Sequence, residues 1–159
     1  MDDKYWQIIV KKIISGGQTG VDRAALDVAI SLGIAHGGWC PLGRLAEDGR
    51  IADRYQLKET DSPDYPVRTE RNVLDSDATL ILCRGPLTGG TLLTHQFAEQ
   101  HQRPCLVVDL DSPLSLDEIR HWMREHRVEV LNVAGPRESQ CPNIAQLARD
   151  FLLKLFAAT

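Results

Sequence analysis

Two glycine-rich runs in this chain have the composition of backbone cradles for an anion. They are Gly16-Gly17-Gln18-Thr19-Gly20 and Gly85-Pro86-Leu87-Thr88-Gly89-Gly90-Thr91. Glycine admits positive φ and lets the backbone approach a ligand closely. A helix start just after such a turn offers unpaired N–H groups and a partial positive charge. A third turn, Ala134-Gly135-Pro136-Arg137-Glu138-Ser139, adds an arginine that can fork onto a phosphate or simply be solvated. Each turn alone also suits a bare strand-to-helix connection; two or three at one sheet edge favour a bound phosphate.

The known phosphate motifs fit only in part. The first run reads S-x-G-x-x-G from Ser15, with serine where the dinucleotide fingerprint has its first glycine. No acidic residue closes the second strand to hold a ribose, so ordinary NAD-dependent hydride transfer is disfavoured. The second run resembles a P-loop but lacks the lysine before its last hydroxyl residue, which argues against ATP hydrolysis.

Other reactive residues are scattered. The five histidines show no HxxxH or HExxH spacing, and of them only His95, one helical turn past the second glycine run, is a candidate for chemistry. His121 and His126 are expected to face solvent. The four cysteines (Cys40, Cys83, Cys105, Cys141) form no CxxC pair, so no protein metal site is expected. Cys40 and Cys83 fall near strand ends and read first as small buried hydrophobes. Glu47, Asp48, Glu59, Asp61 and Asp64 read as solvated loop acids. Arg68 and Arg71 are either solvated or ligand-facing.

The elements that position these turns alternate regularly. Apolar strands are expected near Gln7–Ser15, Ala78–Cys83, Cys105–Leu110 and Val128–Val133, with a weaker one over Ile34–Trp39. Helices are expected over Val21–Leu32, ended by Gly33, and over Val67–Leu74 and Thr91–His101. Two more follow, one opened by a Ser115-to-Glu118 capping box and running to Arg127, the other over Pro142–Phe156. Cys40–Pro66 is polar and turn-rich, a length that implies a function or a hidden short element near Arg54–Glu59. Alternation of this kind predicts a three-layer α/β/α, Rossmann-like fold with a mostly parallel sheet of about five strands. Ligands of such sheets lie beyond the carboxyl ends of the strands, where all three glycine turns fall.

Length and composition agree with one domain spanning 1–159. The chain has 159 residues, 43% hydrophobic and 25% charged, with a net charge of −4 and a pI near 5.7. An acidic balance disfavours a nucleic-acid partner. The absence of a long apolar run or signal-like N-terminus disfavours a membrane, and cytoplasmic residence with reduced thiols is expected.

The segments IISGGQTGVDRAALDVAISLGI, GGWCPLGRLAEDG, RTERNVLDSDATLI, TGGTLLT and NVAGPRES resemble the molybdenum cofactor carrier protein family. That family lies within the Rossmann-like superfamily of Lonely Guy and lysine-decarboxylase-like proteins. The resemblance runs from about Ile13 into the last helix. It implies homodimers or homotetramers and a pterin-phosphate ligand such as molybdopterin, or a nucleotide-like one. It places Gly16, Gly17, Gln18, Thr19 and Gly20 in a first phosphate turn, with Asp22 and Arg23 beside it. Thr88, Gly89, Gly90 and Thr91 would form a second, and Gly135, Arg137 and Ser139 would lie nearby. Phosphoribohydrolase members carry PGGxGTxxE with an upstream arginine; here Arg68 matches the arginine, but Thr94 stands at the glutamate. A threonine has no carboxyl to act as acid or base, so base release from a nucleoside monophosphate is not expected. The alternative is a hydrolase, transferase or sensor acting on a nucleotide derivative such as an ADP-ribose-like compound.

Overall fold

The computed structural model describes residues 10–157. Five parallel strands make the central sheet: β1 (Lys12–Ile14), β2 (Ala35–Gly37), β7 (Ala78–Cys83), β8 (Cys105–Asp109) and β9 (Val130–Ala134). Their order is β2-β1-β9-β7-β8, which places the last strand in the middle. Residues 7–9 of the first expected strand lie outside the described residues, and within them that strand is only Lys12–Ile14. The sheet is fully parallel, as the alternation required.

Helices cover both faces. α1 (Val21–Leu32) packs on α5 (Ile144–Phe156), with α4 (Leu116–Glu125) beside it. α2 (Tyr65–Leu74) packs on α3 (Gly89–Gln100) across the other face. The α1–α4–α5 side encloses the main core, where Ile13, Leu80, Leu82, Leu131 and Val133 meet Ala25, Val28, Ile119, Ala148 and Leu152. Along β7 the side chains alternate between faces, so Thr79, Ile81 and Cys83 turn the other way. Thr79 there accepts a hydrogen bond from Asn132 Nδ2 at 3.2 Å, and both residues are buried.

Local chemistry sets the boundaries. Gly33 ends α1 in the left-handed conformation, its N–H bonding the carbonyls of Ala29 and Ile30. The Ser115–Glu118 capping box forms in both directions and opens α4. α2 starts two residues before its expected start, because Pro66 fits the first helical turn. α3 also starts early, so Gly89 and Gly90 are helical rather than part of the preceding turn. α5 starts late: Asn143 is its N-cap in a left-handed conformation without a side-chain cap bond, and Glu138 accepts instead from the N–H groups of Asn143 and Ala145.

The long polar segment is ordered by pairing and by one buried cation. Trp39–Cys40 (β3) pairs in parallel with Lys58–Glu59 (β6), and Leu45–Ala46 (β4) forms a hairpin with Gly49–Arg50 (β5). The hidden element near Arg54–Glu59 is thus the two-residue β6. The weak strand expected over Ile34–Trp39 breaks at Gly38, and Trp39 leaves the central sheet. Arg44 is buried and donates to the carbonyls of Ile51, Ala52, Tyr55 and Leu57. Under this segment lies a second apolar cluster of Leu26, Cys40, Ala46, Ile51 and Tyr55.

Candidate functional site

The sheet order reverses direction around β9, and a cleft of about 220 Å³ opens where the loops after β1, β7 and β9 meet. Its floor includes Asn132, Val133 and Ala134 of β9. α2 contributes Tyr65, Arg68, Thr69 and Asn72; the start of α3 contributes Gly90, Thr91, Leu93 and Thr94. The glycine turns add Gly16, Gln18, Gly135 and Arg137, while Asp22 and Gln140 complete the wall.

The central side chain is Arg68. It is 7% exposed, so the solvated alternative does not apply to it, whereas Arg71 is exposed and lies over the Trp39 ring. Arg68 rests on Gly16, where a Cβ would come within 2.7 Å of its Nε, so only glycine leaves room for the guanidinium. Its Cζ stands 5.0 Å over the Tyr65 ring, and the Cζ of Arg137 stands 5.5 Å from the same ring. Arg68 Nη1 is buried without a hydrogen-bond partner among the described residues. Gln18 Nε2 is in the same condition on a side chain 6% exposed. Buried donors are ordinarily satisfied, so two open ones lining one cleft mark the place for an acceptor-rich group.

Asp22 tempers that positive charge. Burial pushes its carboxyl up to about 6, against the lowering effect of Arg68, the Gln18 N–H, Arg23 and the Gly16 N–H. Its Oδ2 accepts from Gln18 N at 3.3 Å.

The first glycine run is closed on itself. Gly17 N donates to Ser15 Oγ, Thr19 N donates to Gln18 Oε1 at 3.0 Å, and Gln18 N is held by Asp22. Gly17 turns toward Leu57 and Ile51 rather than the cleft. Thr19 and Ser139 bind Glu47: Thr19 Oγ1 donates to Oε1, while Ser139 Oγ donates to Oε2 at 2.5 Å and Ser139 N donates to Oε1 at 3.2 Å. Partial burial acts to raise the Glu47 pKa, but the bonds from Ser139 and Thr19 outweigh it and hold the group below its ordinary value. Arg23 pairs with Asp48 at 2.5 Å. Glu47 and Asp48 therefore clamp the β4–β5 hairpin across the first turn, and are not the free loop acids their sequence suggests. Glu59 likewise accepts from Gly43 N.

The second run differs. α3 has no side-chain cap bond at its N-terminus, and Gly90 has nothing within 4 Å of where a Cβ would be. Gly90 and Thr91 face the cleft; Thr88 lines a smaller neighbouring space, and Gly89 lies outside the cleft lining. Thr94 lines the cleft with its Oγ1 donating to Gly90 O at 2.9 Å. His95 is outside the lining and pairs with Glu99 at 3.5 Å.

Of the residues expected at a site, the fold brings Gly16, Gln18, Asp22, Arg68, Gly90, Thr91, Gly135 and Arg137 to the cleft. It places Gly17, Thr19, Gly20, Arg23, Thr88, Gly89 and Ser139 around rather than in it. Tyr65, Asn72 and Asn132 were not anticipated. Asn132 had a local signal, a polar residue inside an apolar strand; Tyr65 and Asn72 had none.

The profile of the circularly permutated YpsA SLOG family matches residues 13–156. The 1.45 Å crystal structure of the "Putative molybdenum carrier protein" from Syntrophus aciditrophicus SB is similar, with a TM-score of 0.89 and 53% identity over 94% of this chain and 96% of that one. No curated protein matches the chain.

Proposed function

The chain belongs to the circularly permutated YpsA SLOG family, and from that membership we propose that it is a single-domain binding protein that shelters a small phosphorylated ligand of pterin or nucleotide type. The observation that carries this reading is the buried, partnerless Arg68 Nη1, joined by Gln18 Nε2 in a cleft beside an uncapped helix N-terminus. The phosphate goes to Arg68, which presents an unused donor, and to the start of α3 at Gly90, where the helix N-terminus adds positive charge. Tyr65 offers an aromatic face for a flat heterocycle, and Asp22, Asn72 and Asn132 offer polar contacts for its edge.

The similarity to a protein named as a molybdenum carrier makes the molybdenum cofactor the leading cargo. The donor set fits its phosphate, since the cleft presents cationic and amide groups there. Such a cargo would bring the metal chemistry with it; this chain's residues bind the phosphate, orient the ring and exclude water.

The test is mass spectrometry of small molecules released on denaturing freshly purified protein, compared with Arg68→Gln. A phosphorylated pterin or nucleotide is expected, with binding weakened roughly 10- to 100-fold in the variant, the worth of a charge-assisted hydrogen bond. Equal retention by both proteins would remove Arg68 from the site and sink the proposal.

Asp22 favours a second reading. A buried carboxyl with a pKa of about 6 beside a cationic side chain has the properties of a general acid or base. The corresponding activity would be hydrolysis or transfer on a nucleotide derivative. Turnover of a nucleotide panel by wild-type protein, lost in Asp22→Asn, would select it over binding alone.

A further inference from the structure

Gln18, in the middle of the first glycine run, lines the cleft and is 6% exposed. Its side-chain amide is locked in one orientation. Thr19 N donates to Oε1 at 3.0 Å, and Glu47 N donates to the same oxygen at 2.8 Å. A carbonyl oxygen has two lone pairs, and the two backbone N–H groups use both. Turning the amide over would set those donors against an NH₂ group, so the partners fix which atom is oxygen and which is nitrogen. The β4–β5 hairpin holds the arrangement, because the Glu47 carboxylate is tied to Thr19 and Ser139. Gln18 N is itself held by Asp22 Oδ2 at 3.3 Å. That leaves Nε2, which is buried and has no hydrogen-bond partner among the described residues. A turn that satisfies Oε1 twice and Nε2 not at all keeps a donor open at the cleft wall, where buried donors are ordinarily used.

We propose that Gln18 is the specificity-determining residue of the cleft, a fixed donor that selects ligands setting an oxygen acceptor against Nε2 and rejects those setting an amino group there. Within the phosphorylated-ligand reading, on which this rests, two oxygens have that chemistry. One is a phosphate oxygen, and the other is the ring oxo group of a heterocycle such as guanine or a pterin. Arg68 discriminates less finely, because a guanidinium draws any anion by charge. A neutral amide is governed by the match of donor to acceptor. A ligand amino group opposite Nε2 would leave two donors face to face in a buried place, a mismatch that sites built on buried polar groups reject strongly.

Isothermal titration calorimetry with inorganic phosphate, GMP and AMP, on wild type, Gln18→Glu and Gln18→Met, tests this. Gln18→Glu keeps an oxygen for the Thr19 and Glu47 N–H groups but puts a carboxylate oxygen where the donor was. At pH 7 it should weaken binding of the probe whose oxygen Gln18 meets by about 100-fold, and Gln18→Met by about 10-fold. Loss on all three probes assigns the acceptor to phosphate, whereas loss on GMP with a gain on AMP assigns it to the ring oxo group. At about pH 4, below the ordinary glutamate pKa, the protonated carboxyl is again a donor, and Gln18→Glu should return to within about 3-fold of wild type at that pH. Gln18→Met should stay weak there, which separates a donor from a structural side chain or a repelling charge. Circular dichroism checks folding; if Gln18→Met does not fold, Gln18→Glu against wild type at the two pH values carries the test. Equal affinity of wild type and Gln18→Glu at pH 7, or no recovery at pH 4, overturns the role of Gln18 and leaves the phosphorylated-ligand reading standing. Wild-type protein that binds none of the three probes counts against that reading itself and takes the role of Gln18 with it.

Discussion

At the scale of single residues, Asp22 and Arg68 set the charge of the cleft together. Asp22 is protonated more readily in the folded protein than in the unfolded chain, with its pKa raised from 3.8 to about 6. A raised carboxyl gives stability that is full below pH 3.8 and lost as pH climbs through 6. The loss is on the order of 2 to 3 kcal/mol for a shift of this size. Asp22→Asn should therefore gain stability relative to wild type as pH rises from about 4 to 6.5, measured by denaturant unfolding at each pH. A constant difference across that range would show that Asp22 is not charged against its environment. Ligand binding should follow the same proton: once Asp22 is neutral, Arg68 is less compensated and anions bind more tightly at pH 5 than at pH 7.

At the scale of elements, two glycines of similar sequence context have opposite structural roles. Gly20 has a φ of 80°, and a Cβ there would come within 2.3 Å of Pro136 O. The turn after β1 thus lies directly on the turn after β9, and Val21 N donates to that same Pro136 carbonyl. Gly90, the second residue of α3, has open space where a Cβ would stand. Gly20→Ala should cost roughly 2 to 4 kcal/mol, combining the positive-φ penalty with a backbone clash. Gly90→Val should change stability by less than about 1 kcal/mol, since its environment has room and its φ is ordinary. It should still weaken ligand binding by occupying the cleft. Thermal denaturation and ligand titration of the two variants separate a packing glycine from a site glycine. The opposite ranking in stability would mean that the turns do not pack as described.

At the scale of the whole molecule, the site is held by an asymmetric sandwich. The α1–α4–α5 side is densely apolar, whereas the α2–α3 side carries the polar cleft and its buried Asn132–Thr79 bond. The rigid side fixes β9 at the middle of the sheet, and β9 supplies the cleft floor. Leu131, fully buried on the core face of β9, should cost about 2 to 5 kcal/mol when cut to alanine. Because Asn132 follows it in the chain, that loss should also weaken ligand binding. A variant destabilised by less than 1 kcal/mol, read by chemical denaturation, would mean that this core relaxes around the cavity. No helix among the described residues is long and apolar enough to cross a membrane.

The sequence by itself determined the parallel α/β order, most element positions and the edge on which a ligand would be sought. Those features follow from local periodicity, turn chemistry and the handedness of crossovers, all of which act over short stretches of chain. It also marked Arg68 as a residue to watch, but left open whether that side chain faced solvent. Only the tertiary structure decided that Arg68 is buried with an open donor, because burial depends on Gly16 and Tyr65, which are far from each other in sequence. The same holds for Glu47 and Asp48, which read as loop acids until the hairpin brings them onto Thr19, Ser139 and Arg23. It holds equally for the first glycine run, whose N–H groups looked free in a linear reading. Their partners, Asp22 and the Gln18 side chain, become visible only once the turn has folded, since hydrogen-bond satisfaction is a property of three-dimensional neighbours.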